Sequence, residues 1–123
     1  MFKGISALAI YVTDMDRAIK FYTETLGFEI PIKIHPNLCF LKFKNSNLHI
    51  YLEGGKKSSA IDVDTGRLSF FLEPEKTVSE VYATLKAKNV KLLQEAPELV
   101  QDDIACFQFQ DPDGNIIEVS GKP

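Results

Sequence analysis

Residues 9–30, AIYVTDMDRAIKFYTETLGFEI, decide the fold of this chain. They read as strand, capped helix, glycine stop and second strand. The first strand, residues 5–12, interleaves small and large residues, so Leu8, Ile10 and Val12 share one face and Ala7, Ala9 and Tyr11 the other. Asp14 is placed to cap the helix by accepting from its free N–H groups. Met15, Ala18, Ile19, Tyr22 and Leu26 recur at helical spacing and form one apolar stripe. Gly27 supplies the left-handed conformation that stops it. Residues 28–34 are extended, with Pro31 marking an edge or bulge. Residues 38–44 and 48–53 flank the polar turn Asn45-Ser46-Asn47.

The second half repeats this order. Residues 67–73 read as a strand, and Thr77-Val78-Ser79-Glu80 is a capping box. Val78, Val81, Tyr82 and Leu85 form the second helical stripe, which Asn89 stops. Residues 90–93 are a short strand. FQFQDPDGNIIEVSG, residues 107–121, is two strands around the turn Asp111-Pro112-Asp113-Gly114. Each half therefore reads β-α-β-β-β, an α+β plan. The boundaries are residues 1–53 for the first module, 54–66 for a polar, glycine-bounded connector and 67–123 for the second module. One module alone is too small to bury both faces of its sheet, so the expectation is a single domain of 123 residues.

Each helix must bury its stripe against its own sheet. Leu48, Ile50 and Leu52, then Leu68, Phe70 and Leu72, then Ile117 and Val119, are the apolar sets expected under the helices. The alternate positions face the other way: Tyr11; His49, Tyr51 and Glu53; Arg67, Ser69, Phe71 and Glu73; Ile116, Glu118 and Ser120. Cys106 and Gln108, on the strand before the DPDG turn, complete the candidate ligand-contacting set. A polar and aromatic mixture opposite an apolar face suits a small-molecule pocket.

Net charge is −3, and no Lys/Arg stripe is present, which argues against nucleic acid as a partner. No apolar run is long enough for a bilayer, and the start of the chain reads as a strand and not a leader, so the expectation is a cytoplasmic protein with no membrane partner. Cys39 and Cys106 are far apart and form neither a disulfide framework nor a CxxC motif. His35, before Pro36, reads as a loop residue.

Together the two blocks resemble the vicinal oxygen chelate superfamily of glyoxalases, bleomycin-resistance proteins and extradiol dioxygenases. The resemblance implies two βαβββ modules forming a cupped mixed sheet with helices outside, and a homodimer. Metal-using relatives place one ligand on each of four strands, and the matching positions here are Ala7, His49 (or Tyr51), Arg67 and Glu118. Ala7 has no donor atom, and Arg67 is a fixed cation with no lone pair to give. The expectation is therefore no metal or other cofactor, with a weakly bound divalent metal as the alternative. Arg67 can pair with Glu118 as a structural ion pair, or bind an anionic oxygen of a ligand through a forked hydrogen bond. Two functions follow from the resemblance. One is binding of a small anionic or aromatic molecule; the other is a glyoxalase-type lyase or isomerase in which Glu118 and His49 move a proton next to a carbonyl.

Overall fold

The computed structural model describes residues 1, 3, 8–43, 46, 48–54 and 69–123, with the side chain of His35 left aside. The chain forms two compact units, Met1–Asp62 and Val63–Pro123.

In the first unit, β1 (Leu8–Tyr11), a helix α1 (Met15–Lys20), β2 (Glu29–His35), β3 (Leu38–Lys42) and β4 (Ile50–Glu53) follow in order. The sheet runs β1-β4-β3-β2, with β1 parallel to β4 and the other pairs antiparallel. Asp14 caps α1 as its sequence position predicts: its Oδ1 accepts from the Arg17 N–H at 3.0 Å. After Lys20 the helix widens into a π-helical turn, Phe21–Thr25, and Gly27 ends it with φ +83°. That conformation suits a residue without a Cβ. The wide turn still delivers Tyr22 to the core, where it is fully buried with its ring 5.7 Å from that of Phe28.

The second unit contains β5 (Phe70–Leu72), α2 (Val78–Ala87), β6 (Lys91–Leu92), β7 (Glu98–Gln101), β8 (Ile104–Gln110) and β9 (Ile116–Gly121). Its sheet runs β5-β9-β8-β6, with β7 also on β8 and β5 parallel to β9. The Thr77/Glu80 capping box is formed in both directions. Hydrogen bonds from Thr77 hold the Glu80 carboxyl below its ordinary range, so this part of the cap is present above the usual carboxylate pKa and is lost as pH falls through the lowered value. Asn89 stops the helix with φ +58°.

Register explains the burial. Ile10, Leu52, Cys39, Ile50 and Leu41 line the covered face of the first sheet, and Ile117, Phe109, Val119 and Phe107 that of the second; all are buried. Burying each large side chain contributes roughly 1.5–3 kcal/mol.

Several sequence expectations need correction. β4 starts at Ile50 and not at residue 48, and Leu48 is 52% exposed, because the ladder with β3 begins only at Ile50. β5 covers three residues, and Phe70 and Leu72 are half-buried, as strand-edge residues are. Leu8 is also half-buried. His35 belongs to β2 and not to a loop. β7 has no counterpart in the sequence pattern; its four residues, Glu98–Gln101, are all exposed and carry no burial alternation. Ala7, Arg67, Leu68 and most of the connector lie outside the described residues, as do Asn45 and Asn47 of the first turn.

The DPDGN turn is tied by the side chain of Asp111. Asp111 is buried and its Oδ1 accepts from the N–H groups of Asp113 (2.9 Å) and Asn115 (2.8 Å), while Oδ2 accepts from Asn115 Nδ2 at 2.8 Å. Gly114, at φ +81°, donates its N–H to the Asp111 carbonyl. Asp111→Ala leaves three donors short of their acceptor and is expected to destabilise the protein by about 2–4 kcal/mol in urea unfolding. A loss below about 0.5 kcal/mol would show that water replaces the carboxylate.

Candidate functional site

With one face of each sheet covered, the other carries the candidate residues. On the first sheet Ala9, Tyr51 and Phe40 are neighbours across β1, β4 and β3, and Tyr11, Glu53 and Leu38 form the next row. Phe40 is the centre of an aromatic group. Its ring lies 5.4 Å from the His49 ring, edge-on, and 5.5 Å from the Tyr51 ring. His49 precedes β4 and is exposed, but its carbonyl accepts from the Leu8 N–H at 3.0 Å, which holds its backbone in the ladder. Tyr11 is 48% exposed and Tyr51 half-buried. Phe40, Lys42, Ser46 and His49 line a depression of ≈ 410 Å³. It joins an aromatic wall, an imidazole and an ammonium. Sequence reading missed Phe40 and Lys42; both lie on β3, at alternate positions flanking the buried Leu41.

A larger depression, ≈ 510 Å³, lies at the start of α2 and includes Glu73, Glu75, Thr77, Glu80 and Lys122. Thr77 and Glu80 are engaged there in the helix's own capping box. Of the open-face positions only Glu73 and Ser120 reach it, and none of the aromatic or carboxamide candidates does.

On the second sheet Phe71, Glu118 and Gln108 are opposite one another across β5, β9 and β8, and Ser120 is opposite Cys106. Gln108 Nε2 donates to Glu118 Oε2 at 2.9 Å. Gln108 Oε1 in turn accepts from Gln94 Nε2, and the Gln108 backbone N–H donates to Gln94 Oε1 at 2.8 Å. The Tyr82 hydroxyl donates to the Gln94 carbonyl at 2.7 Å. Gln108 and Glu118 are both sequence candidates; Gln94, which lies beyond β6 in a segment without periodicity, is not. Phe71 is 69% exposed, and Ser69, before β5, is exposed as well. Burial pushes the Cys106 thiol up, and the carboxylates of Glu118 and Glu98 add to the effect. Burial also raises the Cys39 thiol, against a smaller opposing effect of Lys33.

The structure thus groups Tyr11, His49 and Tyr51 on one open face, and Phe71, Cys106, Gln108 and Glu118 on another, each within its own unit. Arg67 lies outside the described residues. Among the described residues no three of His, Cys, Asp and Glu come together as a metal-holding group.

Native-state alkylation should distinguish the thiols. Cys39 is fully buried and Cys106 half-buried, so iodoacetamide is expected to modify Cys106 first. Because both thiols are held above the ordinary thiol range, labelling should be slow near neutrality and accelerate as pH rises into the alkaline range. Fast labelling of Cys39 in folded protein, followed by mass spectrometry, would contradict the packing of the first sheet.

Comparison with known proteins agrees with this architecture. The model of the Glyoxalase/Bleomycin resistance protein/Dioxygenase superfamily matches residues 4–119. The uncharacterized protein YetH of Bacillus subtilis is 30% identical over 122 residues, covering 94% of this chain and 96% of YetH. The metallothiol transferase FosB of Shouchella clausii is 24% identical over 119 residues, 97% of this chain and 80% of FosB. The crystal structure of lactoylglutathione lyase from Agrobacterium tumefaciens aligns with a TM-score of 0.72 at 23% identity, over 96% of this chain and 92% of that one. No described helix is long and apolar enough to cross a membrane. By its sequence and the topology of its two units, the chain belongs to the glyoxalase/bleomycin resistance protein/dioxygenase superfamily.

Proposed function

We propose that this protein binds a small anionic aromatic molecule and does so without a catalytic metal. The depression lined by Phe40, Lys42, Ser46 and His49 carries the reading. Phe40 and Tyr51 offer ring faces for stacking, and Lys42 supplies a cation for a carboxylate or phosphate. His49 adds an imidazole that can hydrogen-bond the ligand. Arg67, which lies outside the described residues, is a further candidate cation by the resemblance alone. The homodimer implied by the resemblance and the cytoplasmic location expected from the sequence belong to this proposal.

A thermal-shift titration with benzoate and with its neutral counterpart benzamide tests it, because a ligand of the folded state raises the midpoint. Benzoate is expected to stabilise and benzamide to do so less. Lys42→Ala should weaken benzoate by about 2–5-fold, the range of a partly solvated ion pair. Equal effects of both compounds, or no effect of Lys42→Ala, would overturn the anionic reading. Elemental analysis of protein purified without chelator should find no stoichiometric Zn, Ni, Co or Fe; a full equivalent of any of them would overturn the non-metal part.

One observation favours a second reading, a lyase or isomerase using Glu118 and His49. The Gln94–Gln108 pair aims an amide N–H at Glu118 Oε2 and so orients the carboxyl group, as a proton-transferring group requires. In that case the protein exchanges the proton next to a carbonyl for solvent deuterium, and Glu118→Gln slows the exchange by about 10²-fold or more. Unchanged exchange in Glu118→Gln would remove this reading.

A further inference from the structure

We infer that Gln94 is a positioning residue for Glu118: through Gln108 it sets the direction of the hydrogen bond that the carboxylate receives. The inference rests on the second reading above, in which Glu118 moves a proton. Its logic is one of donors and acceptors. The Gln108 backbone N–H can only donate, so the Gln94 atom facing it, 2.8 Å away, must be the amide oxygen. The other end of the Gln94 amide is then NH₂, and the Gln108 atom that meets it must be oxygen. The Gln108 NH₂ is thereby turned to Glu118 Oε2, at 2.9 Å. One backbone N–H thus fixes two side-chain amides in sequence and leaves Glu118 Oε2 as an acceptor.

The placement of Gln94 has a structural cause. β6 pairs with β8 at Phe109 and Gln110, and β7 pairs with β8 from Ile104 to Cys106. Between them, Gln108 faces no strand residue on that side for its N–H, and the Gln94 side chain fills the gap. The Leu93 N–H donates to the Gln108 carbonyl at 2.9 Å, and the buried Tyr82 holds the Gln94 carbonyl. A Gln needed only to complete the ladder would be replaceable by any side-chain acceptor. A Gln that sets polarity would not.

Gln94→Glu separates these roles. The introduced carboxylate still accepts from the Gln108 N–H, but its second oxygen cannot donate to Gln108 Oε1. The Gln108 amide should rotate, bringing its NH₂ to the introduced carboxylate and its oxygen towards Glu118. The readout is the scalar coupling across the hydrogen bond from Gln108 Nε2 to the Glu118 carboxylate carbon, measured by NMR in the free protein. It is expected in the wild type and lost in folded Gln94→Glu. If Gln94→Glu does not fold, Gln94→Leu serves instead: with its anchor gone, the Gln108 side-chain amide should show a lower order parameter than in the wild type. Coupling preserved in folded Gln94→Glu, or an unchanged order parameter in Gln94→Leu, would overturn the positioning role. Because no ligand is present in this measurement, its outcome is separate from whether Glu118→Gln slows proton exchange, which tests the underlying reading.

Discussion

Tyr22 in the first unit and Phe107 and Phe109 in the second are fully buried, and that burial constrains everything else. Each is fixed between a sheet and the helix that covers it, and strand geometry has a period of two. Once Leu52 and Cys39 are under α1, Tyr51 and Phe40 must point away from it. Once Ile117 and Phe109 are covered by α2, Glu118 and Gln108 must lie on the opposite face. A one-residue slip in either ladder would exchange the whole apolar set for the polar one. The DPDGN turn guards against such a slip in the second sheet, because Asp111 ties three donors of the turn and so locks β8 to β9.

The open faces differ in chemistry. The first combines Phe40, Tyr51 and His49 with the ammonium of Lys42. The second sets Glu118 among Gln108, Cys106 and Glu98, an assembly of acceptors and acids in which the thiol is held in its protonated form. A cation and aromatic rings suit recognition of an anion; an oriented carboxylate suits proton movement. Superfamily membership is compatible with both, since one fold supports many reactions and the reaction depends on the site.

The α+β plan was legible because local signals agreed with one another. Asp14, Gly27, Thr77, Glu80, Asn89 and Gly114 each occupy the cap or turn that their chemistry predicts. Alternation located the open-face positions of Tyr51 and Glu118. It failed where alternation is absent or where the ladder stops short. Leu48 carries the apolar pattern ahead of the first residue of β4 and so emerges exposed. β7 has four exposed residues and no pattern to detect. Gln94 matters through a gap between two strands, which only the pairing of β6 and β7 along β8 creates. The π-helical turn at Phe21–Thr25 left no trace either, since Tyr22 is buried with or without it on the helical pattern.

The central claim is that the open face of the first sheet recognises an aromatic anion through Phe40, Lys42 and His49. The most direct measurement is a two-dimensional NMR titration of isotope-labelled protein with benzoate, following backbone amides and aromatic side chains together. The account predicts saturable shifts centred on Phe40, Lys42, His49 and Tyr51, with the buried face around Cys39, Leu41 and Leu52 little changed. Shifts confined to other surfaces, or none at millimolar benzoate, would contradict it.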